Sequence, residues 1–224
     1  MIRKDFFKMI ASGTVMAGVT TGFMSCNRDK KSAENTITTR KPVLMKVGCQ
    51  WGDTTVENLE FRARHGVYNI DGGSPKMIEG VGWDLEDSLA KKEMCEKYGI
   101  SLDAYHLPLT SVGIDRVAFP NIMLGKSPER DREIEMLQQM ISVAGKTGVH
   151  CLNYNTTILE ILRTGRTIDP ARGNASYNTW DYQEAVNRKE SDTKAGKVGS
   201  DEIFERIKYL LDRLLPVAEE YKVR

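Results

Sequence analysis

The sequence predicts an α/β fold in which parallel strands alternate with covering helices, as a β/α barrel or an open doubly wound sheet. Three observations predict it. Short apolar runs and helix-period runs alternate four times between Leu44 and Arg224, the pattern of a parallel sheet with helices on its faces. Polar residues gather where each strand run stops: Gln50 and Trp51, then Asp71, then His106, then Asn153 and Asn155. Barrels of this class build their sites at that end. No G-x-G-x-x-G follows the first strand, where Gly48-Cys49-Gln50 runs into Trp51, and this weighs against a dinucleotide-binding sheet.

Each element has its own signal. Leu44–Gln50 reads as strand one. Thr54 and Glu57 have the spacing of a capping box, so a helix begins there, with Val56, Leu59 and Ala63 on its apolar face and Gly66 as its stop. Val67–Asp71 is strand two, closed by the Gly72-Gly73-Ser74-Pro75 turn. Asp84 caps a second helix that carries Leu85, Leu89, Cys95 and Tyr98 and ends at Gly99. Ile100–Leu107 is strand three. Ser127-Pro128 supplies an N-cap with proline at the first helical position, and Ile134, Leu137, Ile141 and Ala144 recur at helical spacing down to Gly148. His150–Asn155 is strand four. Ser200 caps a last helix with Ile203, Ile207, Leu211, Leu214 and Ala218 on one face and a kink expected at Pro216. Val223-Arg224 looks like the first step of a fifth strand.

Thirty-two basic residues balance 31 acidic ones, so charge makes no case for nucleic acid. With 40% hydrophobic residues the chain supports one sizeable core. No apolar run of about 18 residues follows the N-terminus, so no later segment reads as a membrane span.

Residues 1–26 stand apart. Arg3, Lys4 and Lys8 precede the apolar, small-residue run Met9–Met24, the n-region and h-region of an export signal. Arg3-Lys4-Asp5-Phe6-Phe7-Lys8 resembles a twin-arginine signal with lysine in the second basic place. Phe23-Met24-Ser25-Cys26 resembles a bacterial lipobox. The expectation is an exported lipoprotein of the periplasm or outer membrane, lipidated at Cys26 and attached to a membrane through that group. Polar residues 27–41 read as a flexible tether, and 42–224 as the folded domain. Cys49, Cys95 and Cys151 have no CxxC spacing and read as buried free thiols.

The segment after strand four, up to Trp180, carries Arg163, Arg166, Arg172, Asn174, Asn178 and Trp180. A buried strand that ends in so many fixed donors reads as one wall of a site for an oxygen-rich, anionic small molecule. The arginines suit bidentate capture of a carboxylate, and Trp180 offers a face to a sugar ring. Asn153 and Asn155 alternate with Tyr154, so both asparagines share the inward side while Tyr154 packs under the helices. His106, the one histidine at a strand's outer end, is the candidate for proton transfer or a hydroxyl contact. Asp71 reads as a turn-forming residue before Gly72-Gly73.

Several of these residues carry a family resemblance. Trp83-Asp84-Leu85-Glu86-Asp87, Lys97-Tyr98-Gly99-Ile100, His106-Leu107-Pro108, Gly148–Asn155 and Leu162-Arg163-Thr164 resemble the mannonate dehydratases. These belong to the xylose isomerase-like sugar isomerases and epimerases, and the likeness runs from about Met45 to Arg166. Ala104-Tyr105 stands where that family typically has Glu-Ser. The resemblance implies about the first four βα units of an eight-fold (β/α) TIM barrel, in an N-terminal fragment of a longer protein. It implies a lyase that dehydrates a sugar acid, mannonate, to 2-keto-3-deoxygluconate, with a divalent metal such as Mn²⁺ in the full-length protein. The metal ligands of that family lie in its later strands, so the chain as it stands is expected to bind metal poorly and to be inactive. The alternatives are a metal-dependent sugar isomerase or epimerase, and a non-catalytic sugar-binding lipoprotein. In each case the partner is a small sugar or sugar acid.

Overall fold

The computed structural model describes residues 45–50, 52–187 and 193–224. Trp51, the export signal with Cys26 and the tether lie outside the described residues. In chain order the first elements are β1 (Gly48–Cys49), α1 (Val56–Arg64), β2 (Asn69–Asp71), β3 (Met77–Ile78), β4 (Gly82–Trp83), α2 (Leu85–Lys97) and β5 (Ser101–His106). After them come α3 (Pro120–Leu124), α4 (Glu129–Thr147), β6 (Cys151–Asn153), β7 (Gly165–Asp169), β8 (Ala175–Thr179), α5 (Tyr182–Val186) and α6 (Ser200–Tyr221).

The four expected strands are β1, β2, β5 and β6, and they pair in that order, all parallel. Pairing continues past β6. Arg224 donates its N–H to the His150 carbonyl at 2.9 Å and accepts from the Leu152 N–H at 2.8 Å, the alternation of a parallel ladder. Strand alternation sorts the two faces. Ile70, Leu102, Tyr105 and Leu152 are buried in the core, while Asn69, Asp71, Asp103 and Asn153 line the cavity on the opposite face. The register shifts by one residue within β5, where Ile70 faces Leu102 but Asp71 faces Ala104. This bulge leaves Asp103 unpaired in the ladder and sets His106 opposite Asn153.

Local chemistry explains most boundaries. Asp84 caps α2 by accepting from the N–H groups of Glu86 and Asp87. Gly66, Gly99 and Gly148 end their helices with positive φ. Three expected caps are corrected. Gly199, not Ser200, is the N-cap of α6, and Ser200 is the helix's first residue. Thr55, not Thr54, caps α1, because the Thr54 hydroxyl is taken by the Gly73 N–H at 3.0 Å. Pro128 is the N-cap of α4, and the Ser127 hydroxyl goes to Asp131 at 2.6 Å. The β3–β4 hairpin was not legible in the sequence. A side chain of α4 holds it: the Trp83 N–H donates to Gln139 Oε1 at 2.7 Å, and Gln139 Nε2 returns a bond to the Trp83 carbonyl at 2.8 Å.

One core contact ties sheet to helices through polar groups. Tyr105, fully buried, meets Trp83 edge-on at 5.3 Å between ring centres. Its hydroxyl lies 3.1 Å from Ser88 Oγ, and Ser88 donates to Thr147 Oγ1 at 3.2 Å. Thr147 donates in turn to the carbonyls of Val143 and Ala144 at 3.0 Å. Because Ser88 and Thr147 have each spent their one proton, Tyr105 donates to Ser88. Burial pushes the Tyr105 phenol up to about 12 and the Cys95 thiol up to about 11. The other two thiols among the described residues differ from the sequence expectation of burial: Cys49 is half-buried and Cys151 is exposed.

Helix α6 packs on α4 around Tyr209. Its ring lies between the guanidinium groups of Arg130 and Arg213, at 3.5 and 3.3 Å from its centre. Its hydroxyl donates to Asp131 Oδ1 at 2.7 Å. Hydrogen bonds from Ser127 and then Tyr209 bring the Asp131 carboxyl down to about 2.

Two stability measurements check this packing. Tyr105→Phe removes the donor and leaves the Ser88 oxygen one bond short, at a cost of about 1 kcal/mol in denaturant unfolding. A neutral result would show that the hydroxyl chain contributes nothing. Asp131 has a folded-state value below its ordinary 3.8, so its contribution is present above about pH 4 and is lost as pH falls toward 2. The melting-temperature gap between wild type and Asp131→Asn is therefore expected to be widest near neutral pH and to close toward pH 2. A gap independent of pH would contradict that account.

Candidate active site

The site is built at the outer ends of β2, β5 and β6. Asp71 is the last residue of β2, His106 of β5 and Asn153 of β6. One oxygen joins them. Asp71 Oδ2 lies 2.7 Å from His106 Nε2 and accepts from Asn153 Nδ2 at 2.8 Å. The Asp71 side chain is 10% exposed and that of His106 is 44% exposed, so the carboxylate sits beneath an imidazole that reaches solvent. Asp71 Oδ1 is buried without a hydrogen bond among the described residues. Orphaned buried carboxylate oxygens are uncommon and call for an explanation.

The backbone holds these three side chains in place. The Gly72 N–H donates to the Ala104 carbonyl at 3.0 Å, and the Leu107 N–H donates to the Asn153 carbonyl at 2.9 Å. Ser74 Oγ donates to the His106 carbonyl at 2.7 Å. Gly72 is required by close approach: a Cβ there would run into Leu102 Cδ1 and come within 2.8 Å of Thr54 Oγ1. The loops beyond β5 and β6 are tied to each other as well. The Asn155 N–H donates to the Leu109 carbonyl at 2.7 Å and the Ile114 N–H to the Ile158 carbonyl at 2.8 Å, and Arg116 pairs with Glu160.

Below the strand ends lies an open cavity of about 390 Å³, lined in part by Gln50, Asn69, Asp71, Asp103 and Asn153. Asp103 accepts from Asn69 Nδ2 at 2.7 Å and from Ser101 Oγ at 2.5 Å. None of the lining residues is cationic. The surface offers acceptors and amides, a chemistry that matches hydroxyl groups better than an anion.

The residues expected from sequence fall into two groups. His106 and Asn153 come together, though Asn153 spends an amide proton on Asp71. Asn155 lies past the end of β6; its backbone N–H is bonded to Leu109, and it is absent from the cavity lining. Arg163 donates to the Leu162 carbonyl. Arg166 is exposed on β7, and Arg172 is exposed beside Asp169 at 3.6 Å. Trp180 is 48% exposed. These four do not line the cavity. Tyr154, expected beneath the helices, is 40% exposed.

The segment that carries the arginines has structure of its own. Strands β7 and β8 form an antiparallel ribbon from Gly165–Thr179 to Asp169–Ala175. Asp169 caps the 3₁₀ turn Pro170–Arg172, and Gly173 and Asn174 take positive φ. A run of Asp-Pro followed by Gly-Asn between two extended segments is a turn signal, masked here by the density of arginine. The residue that sequence reasoning missed is Asp71. Its Gly72-Gly73 context marks a turn, and a turn aspartate and a site aspartate look alike until β5 and β6 are placed beside it.

No family model matches the sequence. Among curated proteins, mannonate dehydratase from Shouchella clausii (strain KSM-K16) is 26% identical, with 66% of this chain and 46% of the relative covered. Mannonate dehydratase from Thermotoga petrophila is also 26% identical, over 76% of this chain and 53% of that protein. Among solved structures, mannonate dehydratase from Streptococcus suis serotype2 superposes with a TM-score of 0.62 at 21% identity, covering 80% of this chain and 52% of that one. The chain spans about half the length of the curated relatives it matches. Four parallel strands in sequential order, helices on one face and polar strand ends on the other correspond to about four βα units of an eight-fold barrel. In sequence this chain is therefore similar to mannonate dehydratases, and its fold is that of about half of a β/α barrel.

Proposed function

We propose that this chain forms part of a lyase that dehydrates a sugar acid of the mannonate type, with His106 as a proton-transfer group. The observation that carries the proposal is the ring of His106, open to solvent at a strand's outer end and bonded at 2.7 Å to the buried Asp71. The curated relatives support the substrate class. In such a dehydration a C–H bond beside the carboxylate and a C–O bond on the next carbon both break. The proton and the hydroxyl leave as water, and the enol formed becomes a keto acid. Protonating the departing hydroxyl is work for a general acid within hydrogen-bond reach, and an imidazole serves at neutral pH.

Among the described residues no three His, Cys, Asp or Glu side chains converge as a metal set. The described residues by themselves do not supply a divalent-metal site. We keep a divalent ion such as Mn²⁺ in the proposal for the whole protein only. Export and lipid attachment at Cys26 are likewise proposals. No helix among the described residues is long and apolar enough to cross a membrane.

One observation favours a second reading. The cavity beside Asp71 carries no cation, and Arg163, Arg166 and Arg172 do not line it. That composition suits a neutral sugar, as an isomerase, an epimerase or a non-catalytic sugar-binding protein would need.

The test is turnover of mannonate and of a neutral ketose by the native-length protein, with metal content measured alongside. Loss of water from mannonate, reduced about 10²-fold or more in His106→Gln, is the expected result. Turnover of the ketose alone, or no turnover of either with tight sugar binding, would move the second reading into first place. The 224-residue chain by itself is expected to show weak metal binding in equilibrium dialysis and no turnover. A tight stoichiometric ion on it would refute that expectation.

A further inference from the structure

We infer that Asp71 is a positioning residue that holds His106 as its Nε2–H tautomer and leaves Nδ1 as the nitrogen presented to a substrate. The inference deepens the proposed acid–base role, and only its functional consequence rests on that reading. A carboxylate oxygen accepts hydrogen bonds and cannot donate them. The 2.7 Å contact between His106 Nε2 and Asp71 Oδ2 therefore needs the proton on nitrogen. The same argument orients Asn153: its Nδ2 donates to Oδ2 at 2.8 Å, which leaves its Oδ1 as an acceptor.

Three further facts make this an orienting device rather than a surface pair. Asp71 is nine-tenths buried, and Oδ1 has no hydrogen bond among the described residues. Oδ2 thus receives both donors. The backbone on both sides of the contact is bonded to its neighbours, through Gly72 to Ala104, Ser74 to the His106 carbonyl, and Leu107 to Asn153. The distance between carboxylate and ring is set by strand pairing and not by flexible side chains. No hydrogen bond reaches His106 Nδ1 among the described residues, although the ring is 44% exposed. A ring fixed at one nitrogen by a buried carboxylate and open at the other is the arrangement that directs proton transfer through a single atom.

The chain has three histidines, His65, His106 and His150. Long-range ¹H–¹⁵N correlation spectra of the histidine-labelled 224-residue chain can therefore be assigned by single His→Gln substitutions. At a pH where the ring is neutral, wild type is expected to show one tautomer of His106, protonated at Nε2, with that ring proton slow to exchange with water. Asp71→Asn is expected to lose the slowly exchanging proton and to mix the tautomers, with the sheet amide signals unchanged. Asn153→Ala is expected to keep the wild-type pattern. A wild-type ring protonated at Nδ1 overturns the inference without recourse to any variant. So does an unchanged ring in folded Asp71→Asn, and loss of the pattern in Asn153→Ala would assign the hold to Asn153 instead. A protein that shows the tautomer but fails to turn over sugar acids keeps this inference and sinks the proposed reaction. Turnover without the tautomer does the reverse.

Discussion

The site depends on the parallel register of β2, β5 and β6. Side chains along a strand alternate between faces, so a slip of one residue would turn every one of them over. Ile70, Leu102, Tyr105 and Leu152 belong under the helices, and their burial selects the register. Once it is selected, Asp71, His106 and Asn153 have no choice but to meet on the other face, at adjacent strand ends. The bulge at Asp103 is part of the same constraint. Without the extra residue His106 would point to the helix side and Tyr105 to the cavity.

The same register divides labour between the two faces. On the helix side, buried among apolar residues, Tyr105, Ser88 and Thr147 pass their protons along to helix carbonyls. Each hydroxyl of that chain has its partner, as a low-dielectric interior requires. The cavity side is the opposite. It carries carboxylates, amides and an open imidazole, and it leaves Asp71 Oδ1 without a bond among the described residues. A structure that satisfies a buried hydroxyl chain on one face and tolerates an orphaned oxygen on the other concentrates its cost at the strand ends, where chemistry is expected.

The connections carry the arginines but not the cavity. The ribbon β7–β8 holds Arg166 and Arg172 on exposed strands and turns, while the cavity is lined by the strands themselves. The cavity is thus acceptor-rich, and the donor-rich arginines lie away from its lining.

The strand–helix alternation was legible because buried strands and amphipathic helices differ in period, and β1, β2, β5 and β6 fell within a few residues of their expected places. His106 and Asn153 stood out as polar residues that end apolar runs. Asp84 and the glycines after α1, α2 and α4 announced the helix ends by chemistry local to each turn. Asp71 could not be weighed in this way. Its role comes from partners 35 and 82 residues away along the chain, and only strand pairing brings them within hydrogen-bond reach. The choice between Thr54 and Thr55 as the cap of α1 was of the same kind, settled by the Gly73 N–H arriving from the next strand's turn. Local sequence determined which segments are strands and helices and which polar residues end them, because period and capping act within a few residues. The tertiary structure alone decided which of those polar residues share a hydrogen bond, because that depends on register between strands.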